Sequence, residues 1–420
     1  MTKSNLTLTQ SGLLAVLLQP QRHKVIKNGA VRLVRARRKV CMRCASRERS
    51  NKESKPNMKT LIMTILFAFA FTSSALAQSL FVPARLSDKV AVIDTSTNQV
   101  VSQIPVGSYP IRIATTPNRL KAFVSNARSA SISVLDTVAQ TNIATIPVYN
   151  VPGEMAVTPD GGRLFVVHQA PLRGTTKCPV AVIDTATNLI ITTVMIPGNW
   201  AKDILFTLDG RFAYIANFSK GEVDVIDTTS YQIARIPTGA GPRRLCISHA
   251  GDRVYVTNNK DDSVSAIDTA TQQLVATIPV GGGPEGIGIT PNDEEVYATN
   301  QRDGTVSVID TTTLTVIATI PTGAACQRVV ITRDGTKAFV ENGGSDTVSA
   351  IDAATHTVIA TLPTGLNPFT MLASSDDMKL YVCNANDTST TVTVIDIPSL
   401  TVSATIADVG SAPFDLAFGP

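Results

Sequence analysis

Short apolar runs recur from about residue 80 to the end of the chain, and polar turn residues separate them. In residues 242–281 four such runs follow one another: PRRLCIS, VYVTN, SVSAIDT and QLVATIPVG. Val, Ile and Thr dominate these runs, which is typical of β-strands. Because nearly every position is apolar, both faces of each sheet should be covered. The pattern predicts a sheet of four strands, which we name A to D in chain order.

The four-strand unit repeats along the chain. An aspartate closes strand C in each of eight copies, at Asp94, Asp136, Asp184, Asp227, Asp268, Asp310, Asp352 and Asp396. The copies are 42, 48, 43, 41, 42, 42 and 44 residues apart, so the third copy contains an insertion. A period near 42 residues suits one propeller blade. We expect each aspartate to accept backbone N–H groups across the C–D turn.

Asparagine closes strand B in most copies. We expect these side chains to mark turns, with a left-handed backbone and hydrogen bonds to their own turn. They are Asn126, Asn217, Asn258, Asn300, Asn342 and Asn384.

The two ends of the repeat region complement each other. The region begins with SLFVP, which reads as a strand B, and ends with PFDLAFGP, which reads as a strand A. Pairing the last strand with the first blade leaves no open sheet edge. We therefore predict an all-β fold, an eight-bladed β-propeller of four-stranded antiparallel blades, closed by pairing of the C-terminal strand with the N-terminal blade.

The strings VYVTNN, VSVIDT and ATIPVG resemble the YVTN-family β-propeller repeat of bacterial and archaeal secreted and surface-layer proteins. The resemblance covers nearly all of residues 80–420. It implies a propeller fold and fits a surface or adhesive module. Related propellers include lactonases, amine dehydrogenases and nitrous oxide reductases, so the fold alone does not select an activity.

The chain divides into three parts before its structure is considered. Residues 58–77 read Met-Lys-Thr, an apolar stretch and then Ala75-Leu76-Ala77, which is typical of a signal peptide. Residues 1–57 form a basic extension that we expect to be disordered or not translated, with Met58 as the true start. Residues 78–420 should form the propeller. Export would place it in the periplasm, outside the cell or on the cell surface.

The charge changes sign along the chain. Residues 1–57 carry 14 Lys and Arg against two acids, a net charge of +12. Residues 78–420 carry 22 Lys and Arg against 31 Asp and Glu, a net charge of −9. Because an acidic domain repels phosphates, we expect no nucleic-acid partner. An oxidising compartment would also permit two disulfides, with three possible connectivities, among Cys178, Cys246, Cys326 and Cys383.

One column of strand A is unusually charged. Propellers commonly bind ligands where the D–A and B–C loops gather at the channel mouth. Two residues beyond the usual proline of strand A, six of the eight copies carry a charge: Arg112, Glu154, Asp203, Arg244, Arg328 and Asp415. The other two copies have Gly286 and Thr370. These charges could grip a polar or anionic small molecule, or they could pair with one another and fill the channel.

The third copy departs from the repeat. His168 stands where most copies have asparagine, and the following loop lengthens to QAPLRGTTKCP, which contains Arg173. Trp200 lies in a loop on the same side of the next copy. These three residues are candidates for a contact surface. The alternative is that the tryptophan fills a packing gap.

Recognisable enzyme motifs are missing from the sequence after Met58. It has no G-x-S-x-G, H-E-x-x-H or C-x-x-C-H pattern, and the glycine-rich segment at Gly281–Gly286 has no helix after it. We assign no catalytic residue, metal site or cofactor. The sequence favours an exported binding or interaction scaffold whose partner is a protein, a glycan or a small polar ligand. The alternative is a lactonase-like hydrolase that acts on a small polar substrate in the channel.

Overall fold

The computed structural model describes residues 78–420, which form thirty-two strands in eight sheets of four. The A strands are β4 (Pro110–Thr115), β8 (Pro152–Val157), β12 (Ala201–Phe206), β16 (Pro242–Ile247), β20 (Pro284–Ile289), β24 (Cys326–Ile331), β28 (Pro368–Ala373) and β32 (Ala417–Phe418). The B strands are β1 (Ser79–Ala84), β5 (Lys121–Asn126), β9 (Arg163–His168), β13 (Phe212–Asn217), β17 (Arg253–Asn258), β21 (Glu295–Asn300), β25 (Lys337–Asn342) and β29 (Lys379–Asn384).

The outer half of each blade is built from strands C and D. The C strands are β2 (Lys89–Asp94), β6 (Ser131–Asp136), β10 (Lys177–Asp184), β14 (Glu222–Asp227), β18 (Ser263–Asp268), β22 (Thr305–Asp310), β26 (Thr347–Asp352) and β30 (Val392–Asp396). The D strands are β3 (Gln99–Pro105), β7 (Thr141–Pro147), β11 (Leu189–Pro197), β15 (Ile233–Pro237), β19 (Gln273–Pro279), β23 (Thr315–Pro321), β27 (Thr357–Pro363) and β31 (Thr401–Ile406). We number the blades one to eight from β1–β3 onwards.

All eight sheets are antiparallel, and the first blade takes its A strand from the C-terminus. Strand β32 pairs with β1, with Leu80 opposite Phe418 and Phe81 opposite Ala417. Around this pair, Gly419 N donates to Ser79 O at 2.7 Å and Phe414 N donates to Pro83 O at 3.0 Å. The predicted eight-bladed propeller and its closure by the chain ends are confirmed.

The core lies between neighbouring blades. Strands B and C are buried along their lengths, whereas the D strands alternate between exposed and covered positions. The third residue of every strand B is a buried aromatic that fills the gap between two sheets: Phe81, Phe123, Phe165, Tyr214, Tyr255, Tyr297, Phe339 and Tyr381. Because the A strands contact one another along the ring, they surround the central channel.

The aspartates that close strand C act as predicted. Asp310, for example, accepts N–H groups from Thr312 at 3.1 Å and Thr313 at 2.6 Å. The N–H of Thr313 is the main reason that the pKa of Asp310 is lowered. The carboxylates therefore stabilise the C–D turns.

The asparagines that close strand B act differently from the prediction. None of the six has a left-handed backbone. They are buried, and Asn258 Nδ2 donates to Ser263 Oγ at 3.0 Å and Ser265 Oγ at 2.9 Å of the adjacent C strand. Asn126, Asn300 and Asn342 make equivalent bonds. The asparagine therefore links strand B to strand C by hydrogen bonds, and the prediction that it marks a turn with a left-handed backbone was wrong.

The four cysteines of residues 78–420 are not paired. Cys178, Cys326 and Cys383 are buried free thiols, and Cys246 is a half-buried one. They lie in different blades, on strands that do not pair with each other, so the permitted disulfides do not form.

Two predicted segments, the basic extension 1–57 and the signal peptide 58–77, lie outside the described residues. Among residues 78–420 there is no helix with the length and hydropathy that a membrane span requires.

Candidate functional site

A register shift in strand A creates the candidate site. In the fifth blade Pro242 pairs with Asn258 and Leu245 with Val256, so the two residues between them have a single counterpart. The same shift occurs at the start of the other long A strands. Because strand A is innermost, the shifted residues can present their side chains to the channel.

The channel holds an inner cavity of about 180 Å³. It brings together all six of the predicted charged residues: Arg112, Glu154, Asp203, Arg244, Arg328 and Asp415. Gly286 lies between them, and a Cβ there would come within 2.1 Å of Gln327 O in the next blade, so only glycine fits. Thr370 instead donates its hydroxyl to Phe414 O at 3.1 Å.

Glu154 lies between two guanidinium groups. Arg112 Nε is 2.8 Å from one of its carboxylate oxygens and Arg244 Nη1 is 3.0 Å from the other. Burial by itself raises the pKa of Glu154, but the charges of Arg112, Arg244 and Arg328 together hold that pKa at about 2. Glu154 is therefore a permanent anion that connects the second, third and fifth blades.

Asp203 and Asp415 tie neighbouring A strands together. Asp203 accepts the N–H of Leu245 at 3.0 Å, and Asp415 accepts the N–H of Ile113 at 3.1 Å. Burial raises the pKa of both carboxyl groups, against the attraction of Arg244 and Arg112. The sequence left open whether the charged residues of strand A pair with one another, and with the ion pairs of Glu154 this pairing is partly present.

Arg328 is left out of this pairing. Within residues 78–420 its guanidinium has no carboxylate within 4.0 Å, and its side chain makes no hydrogen bond to another residue. Burial lowers its pKa, and repulsion from Arg244 and Arg112 adds to this effect. The cavity therefore contains one guanidinium whose donors are free.

Glu341 lies behind Arg328 on β25. Its Oε1 accepts the backbone N–H of Arg328 at 3.2 Å, and its Oε2 is buried without a partner in the described chain. Burial raises the pKa of Glu341 to about 8, although the charge of Arg328 acts in the opposite direction. At neutral pH this carboxyl is therefore largely protonated and does not neutralise Arg328.

A second cavity of about 280 Å³ borders the inner one and shares Arg112, Glu154 and Arg244 with it. We call it the vestibule. Phe369 and Phe414 stack on its wall with ring centroids 4.4 Å apart, and Arg85 lies 4.7 Å over Phe414. The vestibule also contains Lys202, Arg243 and Glu285, and the last two form an ion pair at 2.6 Å.

Sequence reasoning missed the vestibule residues. Lys202, Arg243, Glu285, Phe369 and Phe414 all stand one position before the charged column of strand A. The signal was present in the alignment of the eight A strands. The signal was missed because in a regular strand the residues next to the charged column would point away from the channel. The register shift allows the side chains of both columns to reach the channel.

The three loop-surface candidates do not form one surface. His168 ends β9 and is 0% exposed, and its Nδ1–H donates to Pro179 O at 2.9 Å. Burial lowers its pKa to about 4, so it is neutral. The prediction that His168 lies on the surface was wrong, because it replaces a buried asparagine. Arg173 is exposed in its loop, and Trp200 is 53% exposed.

The two other histidines of residues 78–420 lie away from both cavities. His249 pairs with Asp293 and His356 with Glu295. Among residues 78–420 no three His, Cys, Asp or Glu side chains are grouped so that they could hold a metal ion.

Two family models match parts of the chain. The YNCE-like beta-propeller model matches residues 292–416, and the Cytochrome D1 heme domain model matches residues 212–330. With the eight blades, these matches support a β-propeller family. The narrower resemblance to the YVTN-family repeat stays a prediction. No curated protein sequence matches the chain.

Solved structures with the same fold have distant sequences. The dihydro-heme d1 dehydrogenase NirN in complex with DHE is 13% identical, with a TM-score of 0.67 over 83% of this chain and 76% of that one. Hydrazine synthase of Kuenenia stuttgartiensis is 23% identical, with a TM-score of 0.55 over 68% and 95%. A functionally unknown protein from Desulfotomaculum acetoxidans is 16% identical, with a TM-score of 0.55 over 81% and 98%. At these identities the likeness concerns the fold alone.

Proposed function

We propose that this chain is a non-catalytic binding propeller that holds an anionic group of a small polar ligand in its inner cavity. The proposal rests on one observation, the unpaired guanidinium group of Arg328. The side chain of Arg328 is half-buried in the wall of the cavity, and a guanidinium withdrawn from solvent normally has a charged or hydrogen-bonding partner. Arg328 has none among the described residues, and it lines the cavity. A ligand carboxylate or phosphate would supply the missing partner.

The pairing pattern in the cavity favours an anion over a cation. Its carboxylates are already engaged, Glu154 by two guanidinium groups and Asp203 and Asp415 by backbone N–H groups, whereas the guanidinium of Arg328 is not. Protonated Glu341 leaves the charge of Arg328 in place. A planar guanidinium also matches the two oxygens of a carboxylate or phosphate.

The size of the cavity limits the ligand. Sites for drug-sized molecules usually have volumes of about 300–1,000 Å³. The inner cavity has about 180 Å³ and the vestibule about 280 Å³. We therefore favour a short mono- or dicarboxylate, or the anionic end of a larger molecule that extends into the vestibule.

The channel residues do not fit a haem group, although one matching family model is that of a haem domain. Haem iron is usually held by His, Cys, Met or Tyr. Of the residues that line the two cavities only Tyr109 has such a side chain, and Arg128 lies 4.1 Å over its ring. Both cavities are also small for a tetrapyrrole. We therefore propose no haem chemistry for this channel.

We also propose that the propeller acts outside the cytoplasm. The signal-peptide pattern of residues 58–77 supports export, with Gln78 as the first residue of the mature chain. The rigid ring would then present its channel mouth at the cell envelope or outside the cell.

Titration calorimetry of the full-length protein with succinate and citrate tests the channel site. We expect binding to the wild type that weakens with added salt, and at least a tenfold loss of affinity in Arg328→Gln because the free guanidinium is removed. Arg211→Gln makes the same change of charge at an exposed position and should bind like the wild type. Equal affinity of Arg328→Gln and wild type would reject the site.

The hydrolase alternative makes a different prediction. Lactones incubated with the wild type, with and without divalent metal ions, should remain intact if the propeller only binds. Turnover that is lost in Asp203→Asn would favour the hydrolase, because Asp203 has a raised pKa in the cavity.

A further inference from the structure

A pair of aromatic rings, the exposed Trp200 and the half-buried Phe218, lies outside the channel cavities, on the face formed by the D–A and B–C loops. Trp200 precedes β12 and Phe218 follows β13, and their ring centroids are 6.3 Å apart with planes tilted by 48°. Lys202 Nζ lies 4.8 Å from the centre of the Trp200 ring, and Lys260 Nζ lies 4.7 Å from that of Phe218. We call these four residues the aromatic platform.

Trp200 does not fill a packing gap. It is 53% exposed, and its backbone is left-handed with φ 60°. The residue before strand A is left-handed in the seven blades that have a long strand A, and the fifth and sixth blades use Gly241 and Gly283 there. The fourth blade has the largest side chain at a position where glycine is the least strained. An exposed tryptophan on a strained turn points to a role in contact with a ligand.

The neighbouring blade leaves room for the platform. A Cβ on Gly241 would lie 3.2 Å from the ring of Phe218 and 3.0 Å from the stem of Lys260. The missing side chain therefore lets Phe218 and Lys260 lie against the turn of the fifth blade. The platform thus extends across two blades.

Both ammonium groups are available to a ligand. Within the described part of the chain, Lys202 and Lys260 have no carboxylate within 4.0 Å and make no side-chain hydrogen bond. This is unusual in a domain whose residues 78–420 carry a net charge of −9. Two ammonium groups thus lie directly over the two rings, and they complement an acidic ligand.

The platform is too small for a stable protein interface. Such an interface buries about 800 Å² on each partner, whereas one aromatic side chain offers about 150–250 Å². Most other exposed large apolar side chains lie on D strands or at the opposite face, for example Ile191, Ile317 and Val138. The surface fits a ligand of one or two rings.

We propose that the aromatic platform binds an acidic sugar, a pyranose ring that carries a carboxylate, such as the hexuronic acid residues of a polysaccharide. The apolar C–H face of the pyranose would lie on the exposed face of Trp200. Its carboxylate would pair with the ammonium groups of Lys202 and Lys260. The platform shares Lys202 with the vestibule but does not include Arg328, so binding at the platform is tested separately from binding in the inner cavity.

The single tryptophan of the chain makes the test direct, because intrinsic tryptophan emission reports on Trp200 alone. We expect galacturonic acid oligomers to change the emission of the full-length protein saturably, whereas neutral glucose oligomers do not. Lys202→Gln and Lys260→Gln should each weaken binding about three- to fivefold. Lys337→Gln, the same change at the opposite face, should bind like the wild type.

Two further measurements separate this site from its alternatives. Arg328→Gln should leave the emission titration unchanged, and Trp200→Leu should leave succinate binding unchanged in calorimetry. An emission change of equal affinity with poly-glutamate would reject the sugar ring as the recognised group. Absence of any saturable change with the acidic oligomers would reject the platform as a binding site.

Discussion

Asn258 illustrates how single side chains hold each blade together. It is buried at the end of β17, and its amide group reaches two serine hydroxyls of the adjacent strand. Five of the eight blades make this tie with serine or threonine hydroxyls at the same two positions before the aspartate of strand C, while the channel residues change from blade to blade. Recurring residues therefore build the fold, and the varying residues create the site.

Replacing Asn258 by alanine should destabilise the propeller. Both serine hydroxyls would lose a buried partner, so we expect the free energy of unfolding to fall by about 2–4 kcal/mol. Urea unfolding measures this change. Asn292→Ala, at an exposed turn, should lie within about 0.5 kcal/mol of the wild type. A similarly small effect of Asn258→Ala would mean that these hydrogen bonds contribute little to the free energy of unfolding.

Glu341 should make stability depend on pH. Its pKa is about 8 in the folded protein, against an ordinary value of 4.5. Between these values the folded state keeps a proton that the unfolded state releases, so its contribution to stability is complete below pH 4.5 and is lost as pH rises to about 8. Glu341→Gln has no such proton, so its melting temperature should exceed that of the wild type by about 2 °C or more at pH 8–9.

The test compares the melting temperature of each variant with that of the wild type at the same pH. The difference should increase from pH 5 to pH 8 for Glu341→Gln and stay constant for Glu294→Gln, which replaces an exposed acid. A constant difference for Glu341→Gln would show that the buried carboxyl does not titrate in this range.

Strand β32 is the shortest element, yet it closes the ring. It contributes two residues to the first blade, and Phe418 packs edge-on against Tyr381 of the eighth blade with centroids 6.0 Å apart. Loop segments on either side add backbone hydrogen bonds to β1. The aromatic contact joins the first blade to the eighth, whereas the pairing of β32 with β1 joins the last strand to the N-terminal blade.

Removing that contact should weaken the closure. Phe418 is 7% exposed, so Phe418→Ala should lower the free energy of unfolding by about 3 kcal/mol in urea. Leu189→Ala, on an outer strand where the side chain is 64% exposed, should change it by less than about 0.5 kcal/mol. Equal effects of the two substitutions would contradict a specific role for Phe418.

The propeller of residues 78–420 combines an acidic ring with a cationic channel mouth. The residues that face the cavities are richer in Arg and Lys than residues 78–420 as a whole, whose net charge is −9. Like charges elsewhere on the ring should repel anions, so an anionic ligand should bind more readily at the mouth than on other faces.

Export should produce a mature chain that begins at Gln78. Intact-mass measurement of the protein isolated from its native host checks this prediction, because cleavage after Ala77 removes the extension and the apolar segment together. A native protein that retains residues before Met58 would contradict both the cleavage and the assigned start.

The sequence by itself determined the number of blades, their strand order, the closure by the chain ends and the six charged residues of the inner cavity. It could do so because a repeat places equivalent residues at equivalent depths around one axis. The tertiary structure alone decided which charges pair, that Arg328 is left without a partner and that His168 is buried. It also decided that the vestibule column reaches the channel. The charge pairing depends on contacts between blades about 42 residues or more apart, the position of the vestibule column on a register shift, and the burial of His168 on its contact with the adjacent strand. None of these leaves a local signal in the sequence.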